Sequence, residues 1–122
     1  ALVKYYPGYN PDLLKNLIDS GFKAIIFEGT GLGHIGENMY PIVKMANEKG
    51  IFMGMTSQCI DGRVRMTVYE SGRDLLNLGI IPLENMIPEI ALVKAMWVTG
   101  NTENFDEIKD NMLKEIASEF ST

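Results

Sequence analysis

The chain carries one cysteine and one histidine, Cys59 and His34. A single thiol excludes an internal disulfide framework and fits a reducing, cytoplasmic compartment. One His and one Cys, with no carboxylate at ligand spacing, fall short of the usual zinc ligand set, so no metal site is expected. No apolar run approaches the roughly 20 residues needed to span a bilayer, and no membrane partner is expected. The given sequence begins directly on a β-prone run, Ala1-Leu2-Val3-Lys4, so no signal peptide is expected. Such a start is expected of a fragment cut from a longer protein. Basic residues are also short: 11 Lys and Arg stand against 16 Asp and Glu, for a net charge of −5. A dedicated nucleic-acid surface needs clustered Lys and Arg, which argues against one here. The acids gather after Thr99, and from Glu103 to Glu119 they read as the solvated face of an amphipathic helix.

What remains is an ordinary globular composition over 122 residues, enough for one domain with a core and too few for two. Strand and helix signals alternate. Leu2 to Tyr6 is a β-prone run ended by Pro7-Gly8. Asn10-Pro11-Asp12 supplies an N-cap, a first-turn proline and an acid for a helix that Gly21 stops. Phe22 to Phe27 predicts a strand whose continuous apolar centre, Ala24 to Phe27, reads as buried on both faces, as in a parallel sheet. A helix is expected from Glu37 to Lys49, and a third strand from Ile51 to Thr56. Ser71 is the expected N-cap of a short helix ending at Gly79, and Ile80 to Pro82 reads as a short edge strand. A long helix from Leu83 or Glu84 to about Val98 should turn Met86, Ile90, Val93, Met96 and Trp97 inward. A last helix, Asn104 to Ser118, should bury Phe105, Ile108, Met112, Leu113 and Ile116. The eight methionines read as core filler. This order predicts a three-layer α/β/α sandwich around a parallel sheet of about four strands. Ligands gather at the carboxyl ends of such strands, where loops 6–10, 29–37 and 56–64 should meet.

The second of these loops, Glu28-Gly-Thr-Gly-Leu-Gly-His34-Ile-Gly36, holds the only histidine. Gly31, Gly33 and Gly36 match the G-x-G-x-x-G spacing of dinucleotide cradles. That fingerprint also needs an acid at the end of the next strand, but Ser57-Gln58 stands there and Asp61 lies beyond a turn. The motif also follows the second strand instead of the first. The glycines are therefore read as room for a tight turn and close packing. Cys59 and His34 share an edge and form a nucleophile–base candidate, but no third group orients them.

Several stretches together carry a resemblance. They are Lys4-Tyr-Tyr-Pro-Gly8, Glu28 to His34, Met55-Thr-Ser-Gln-Cys59, Asp61-Gly-Arg-Val64, Val68-Tyr69 with Ser71-Gly-Arg73, and Ile81-Pro82 through Met86-Ile-Pro-Glu89 to Trp97. Over nearly its whole length the chain resembles the C-terminal domain of the type I L-asparaginase family. Thr56-Ser-Gln-Cys followed by Gly62-Arg-Val, and Met86-x-Pro-Glu-x-Ala91, are its most specific parts. The stretch ending in His34 favours the branch that serves tRNA-dependent amidotransferases, because plain asparaginases resemble one another in an asparagine there.

The resemblance implies that residues 1–122 are an asparaginase-like C-terminal domain whose catalytic N-terminal domain, with the family's threonines, aspartate and lysine, is absent from this chain. It implies side-chain amide hydrolysis that supplies ammonia from glutamine or asparagine for converting Glu-tRNA(Gln) to Gln-tRNA(Gln). It implies no catalytic residue in this domain and no activity for it alone. The expected partners are its own N-terminal domain, a second copy in a homodimer, an amidotransferase partner subunit (GatE), and tRNA indirectly. No cofactor is expected in this domain; ATP and magnesium would be used by the partner subunit. His34 and Tyr69, with Gly31 and Gly33, match positions that support the active site across the dimer. For His34 the plainer alternative is capping of the helix that follows. Thr56, Ser57, Gln58 and Cys59 match an effector pocket of some asparaginases, where an arginine stands near Glu28. Glutamate would repel an effector carboxylate, so the pocket is expected to be a vestige. Two rivals stay open: the C-terminal domain of a plain type I asparaginase, and an unrelated α/β module binding a ligand at the glycine loop.

Overall fold

The structure, a computed structural model, describes residues 1–31, 33–58, 64, 66 and 70–114. Among these residues, four parallel strands form one sheet in the order β1-β2-β3-β4: β1 Leu2–Lys4, β2 Ala24–Gly29, β3 Phe52–Ser57 and β4 Ile81–Pro82. Helices cover both faces, as the alternating pattern predicts. On one face lie α1 (Pro11–Asp19), α2 (Tyr40–Glu48) and α3 (Glu70–Asn77); on the other lie α4 (Pro88–Asn101) and α5 (Phe105–Leu113).

Side chains of a strand alternate between faces, and β2 feeds both cores in that way. Ile25 and Phe27 enter the core with Leu14, Ile18, Val43 and Leu75, while Ala24 and Ile26 enter the core with Ala91, Ala95 and Ile108. All of β2 but Glu28, and all of β3, is buried, which is why these segments read as continuous apolar runs. Gly54 gives up its side chain to Leu83, whose Cδ1 would lie 2.6 Å from a Cβ there.

The start signals of α1 act as expected: Asn10 accepts from the Asp12 amide and Pro11 opens the helix. Asn104 likewise caps α5 by accepting from the Glu107 amide. Several expectations are corrected. The helix from Glu37 begins as a 3₁₀ turn, Glu37–Met39, and becomes α-helical at Tyr40. Pro41 has no N–H to give to the Glu37 carbonyl, so the Tyr40 amide takes that carbonyl instead. Ser71 lies inside α3, which starts at Glu70. The strand expected from Phe22 starts at Ala24, leaving Phe22 exposed.

The largest correction concerns α4. α4 starts at Pro88, not Leu83, because Glu84 turns the chain with φ +53° and Ile87, preceding proline, is extended. Met86 is buried, but ahead of the helix. Ile90, Val93, Met96 and Trp97 face outward, the last three 64, 66 and 57% exposed, while Ala91, Lys94, Ala95 and Val98 face the sheet and α5. The helix is apolar around most of its circumference, so periodicity does not choose its inner face. Small side chains do, by letting the helix lie close on β2 and β3. The helix, expected to end at about Val98, runs on through Gly100 to Asn101. Lys94 is buried yet satisfied: its ammonium donates to the main-chain carbonyl of Lys114 at the C-cap of α5, where cations are favoured. In α5, Ile108 and Met112 are buried while Leu113 is exposed; Ile116 lies outside the described residues. Among those residues no helix is long and apolar enough to cross a membrane.

Candidate functional site

The carboxyl ends of β1, β2 and β3 share one edge of the sheet, and the described residues that leave them, among them Tyr5, Thr30 to His34 and Gln58, meet there. After β1 the chain makes a turn at Tyr6-Pro7-Gly8-Tyr9, closed by the Tyr9 amide on the Tyr6 carbonyl at 2.9 Å, with Gly8 at φ +88°. Proline second and a positive-φ glycine third define a type II turn. Tyr9 is buried against Tyr5 and Tyr6, at ring distances of 6.3 and 5.2 Å. Burial pushes the Tyr9 phenol up, and the neighbouring Tyr6 adds to the shift, so Tyr9 is a neutral hydrogen-bonding group at physiological pH.

After β2 the glycine loop folds back on itself. Thr30 and His34 form an antiparallel bridge, with amide-to-carbonyl distances of 3.0 and 2.9 Å, and the Gly33 amide also reaches the Thr30 carbonyl at 3.0 Å. Gly31 and Gly33 take φ of +53° and +106°, a region that L side chains rarely adopt. Gly33 also packs so closely that a Cβ there would stand 2.9 Å from Val64 Cγ1 and 3.0 Å from Met55 Cγ. The loop is therefore filled by its own chain and by Val64, Met55 and Met66. It is not an open cradle, and Gly36 leads into a 3₁₀ turn instead of an α-helix N-terminus.

His34 is half-buried at this edge, with its Nε2 among the buried atoms. Gly36, two residues on, occupies the N-cap of the following turn. Glu28 is largely buried and stands 3.8 Å from the Lys4 ammonium. The end of β3 binds the loops together. Thr56 is fully buried and donates to the Phe27 carbonyl at 2.8 Å. Ser57 donates to the Gly31 carbonyl at 2.7 Å. The Gln58 side-chain amide donates to the carbonyls of Tyr5 and Glu28, and its backbone amide to Gly29 at 2.9 Å.

Of the residues singled out in the sequence, His34, Gly31, Gly33, Glu28, Thr56, Ser57 and Gln58 thus come together at one edge. Tyr69, Cys59 and Asp61 lie outside the described residues, and with them the Cys59–His34 pair. Tyr5 was not singled out as a site residue, yet its carbonyl receives Gln58 and its hydroxyl fills the space beside Gly36 that a Cβ would need. The available signal was a Ser-Gln pair ending an otherwise apolar strand, since polar groups at such a buried position must find partners nearby.

Comparison with known proteins matches residues 1–112 to the glutaminase/asparaginase C-terminal domain family. The chain is 51% identical over 120 residues to the GatD subunit of the glutamyl-tRNA(Gln) amidotransferase of Sulfolobus acidocaldarius, covering 98% of this chain and 27% of that protein. It is 49% identical over 121 residues to the corresponding protein of Pyrococcus abyssi, covering 99% and 28%. Among solved structures, L-asparaginase I of Vibrio cholerae superposes with a TM-score of 0.88 at 27% identity, over 100% of this chain and 37% of that one. The thermostable L-asparaginase of Thermococcus kodakarensis gives 0.87 at 33% identity, over 99% and 37%. The chain therefore spans little more than a quarter of the length of these sequence relatives.

Proposed function

The chain belongs to the glutaminase/asparaginase C-terminal domain family, and from that premise we propose that it is the C-terminal domain of a longer amidohydrolase subunit. The longer protein hydrolyses the side-chain amide of glutamine or asparagine and releases ammonia. That ammonia serves the conversion of Glu-tRNA(Gln) to Gln-tRNA(Gln), carried out with a partner subunit that uses ATP and magnesium. Identity near one half with two amidotransferase subunits over almost all of this chain supports this role.

In this reading, residues 1–122 contribute no nucleophile. They complete the active site from across a homodimer, and His34 is the group they contribute. An imidazole at a sheet edge can donate to a substrate α-carboxylate or accept from its α-amino group. The single observation that carries this role is that His34 stands on the loop leaving β2 at the carboxyl edge of the sheet, its backbone locked to Thr30. Tyr69 is proposed as a second supporting residue. Glu28, Thr56, Ser57, Gln58 and Cys59 are proposed as the remains of an effector pocket without effector binding, since Glu28 brings a negative charge to it. A plain asparaginase is the second reading, favoured by the two superposed L-asparaginases.

Ammonia release from glutamine and from asparagine tests the proposal. The longer chain should turn over one of them, and the 122-residue chain neither. Turnover by the 122-residue chain alone would overturn the division of labour. Release that increases when the partner subunit and Glu-tRNA(Gln) are added supports the amidotransferase role; indifference to both supports the plain asparaginase.

A further inference from the structure

We propose that Ser57 and Gln58 are positioning residues for His34, fixing the glycine loop from which it projects; this rests on the reading of His34 as an active-site group. The loop needs outside support. Its turn depends on two glycines at positive φ, and glycine has more freedom to lose than any other residue. The Thr30–His34 bridge closes the loop on itself but does not tie it to the sheet.

The end of β3 supplies the missing ties. Ser57 holds the Gly31 carbonyl at 2.7 Å, on the turn, three residues before His34. The Gln58 backbone amide holds Gly29, and its side-chain amide holds Glu28 at 3.1 Å, both where the loop leaves β2. The same side-chain amide also donates to Tyr5, so one group joins the β1 and β2 loops. These donors reach main-chain carbonyls of a loop that bears a candidate ligand group. A loop needed only for packing would be held by Val64, Met55 and Met66, which already fill its underside. The two hydrogen-bonding side chains set instead where the loop sits along the sheet edge.

The test is a double-mutant cycle in the full-length protein, read by glutamine or asparagine hydrolysis and thermal unfolding. His34→Ala, Ser57→Ala and Gln58→Leu are made singly, and the last two also in the His34→Ala background. The proposal expects Ser57→Ala and Gln58→Leu each to raise KM about tenfold with a smaller change in kcat, as expected when uniform substrate binding is lost. In the His34→Ala background the same changes should add almost nothing. Ser57→Ala removes one hydroxyl and decides the matter should Gln58→Leu fail to fold. Undiminished kcat/KM in Ser57→Ala, or losses that add fully to that of His34→Ala, would overturn the positioning role while leaving His34 in the site. Unchanged activity in His34→Ala itself would overturn the reading of the site, and the positioning role with it.

Discussion

Gly29 lies directly against the main chain of His34: a Cβ built on Gly29 would stand 2.9 Å from both the amide nitrogen and the carbonyl oxygen of His34. The conflict is with backbone that Thr30 already holds by hydrogen bonds, so it cannot be relieved by turning a side chain. The absent side chain at the end of β2 is thus a condition for the His34 bridge.

The glycines should therefore separate by mechanism. Gly29→Ala is expected to destabilise by about 1–3 kcal/mol, as overpacking does, and to displace His34. Gly21 has φ +88° but nothing within 4 Å of a built Cβ. Gly21→Ala should cost about 1 kcal/mol through backbone conformation alone, without touching activity. Urea unfolding of the two variants, paired with hydrolysis by the full-length protein, distinguishes them.

Lys94 should behave as a structural cation. Its ammonium ends on the Lys114 carbonyl at the C-cap of α5. Lys94→Met keeps the apolar stem but leaves that carbonyl without this donor, and a loss of about 1–3 kcal/mol is expected. Chemical unfolding measures it, and the far-UV helix signal should fall from the α5 end.

The outer face of α4 should be visible through Trp97, the only tryptophan and 57% exposed. In the 122-residue chain its emission should be red-shifted and readily quenched by acrylamide. Trp97→Lys should change stability by no more than about 0.5 kcal/mol, as exposed sites usually do. Ala95→Lys, on the sheet-facing side, should prevent folding. A blue-shifted, quencher-resistant Trp97 would contradict the observed orientation of the helix.

Glu103 gives a prediction in pH. Its hydrogen bond from Lys23, and then the charge of Lys23, hold its carboxyl below the usual range. A carboxyl lowered on folding adds stability above its unfolded pKa and loses it as pH falls through the lowered folded value. The pair is exposed, so the effect should be slight and screened by salt. Glu103→Gln should flatten the acid limb of the stability curve slightly, and the difference should vanish at high salt.

The sheet was legible because β2 and β3 are buried on both faces and read as apolar runs between helix signals. The cap at Asn10 was legible because it is a local hydrogen bond. The face of α4 was not, since a helix apolar nearly all round gives periodicity nothing to choose, and the small Ala91 and Ala95 chose it through close packing. His34 stood out as the only histidine. What holds it did not, because Gln58 reaches Tyr5 53 residues away, a contact no local pattern contains.

In the proposed function, this domain contributes His34 to an amidohydrolase site of a longer chain. The most direct test is kcat/KM for glutamine, or for asparagine where that is the better substrate, in full-length wild type and His34→Ala. A fall of at least about tenfold is expected in His34→Ala, the loss of roughly one charge-assisted hydrogen bond, with the thermal transition unchanged. Equal kcat/KM in the two proteins, both folded, would contradict it.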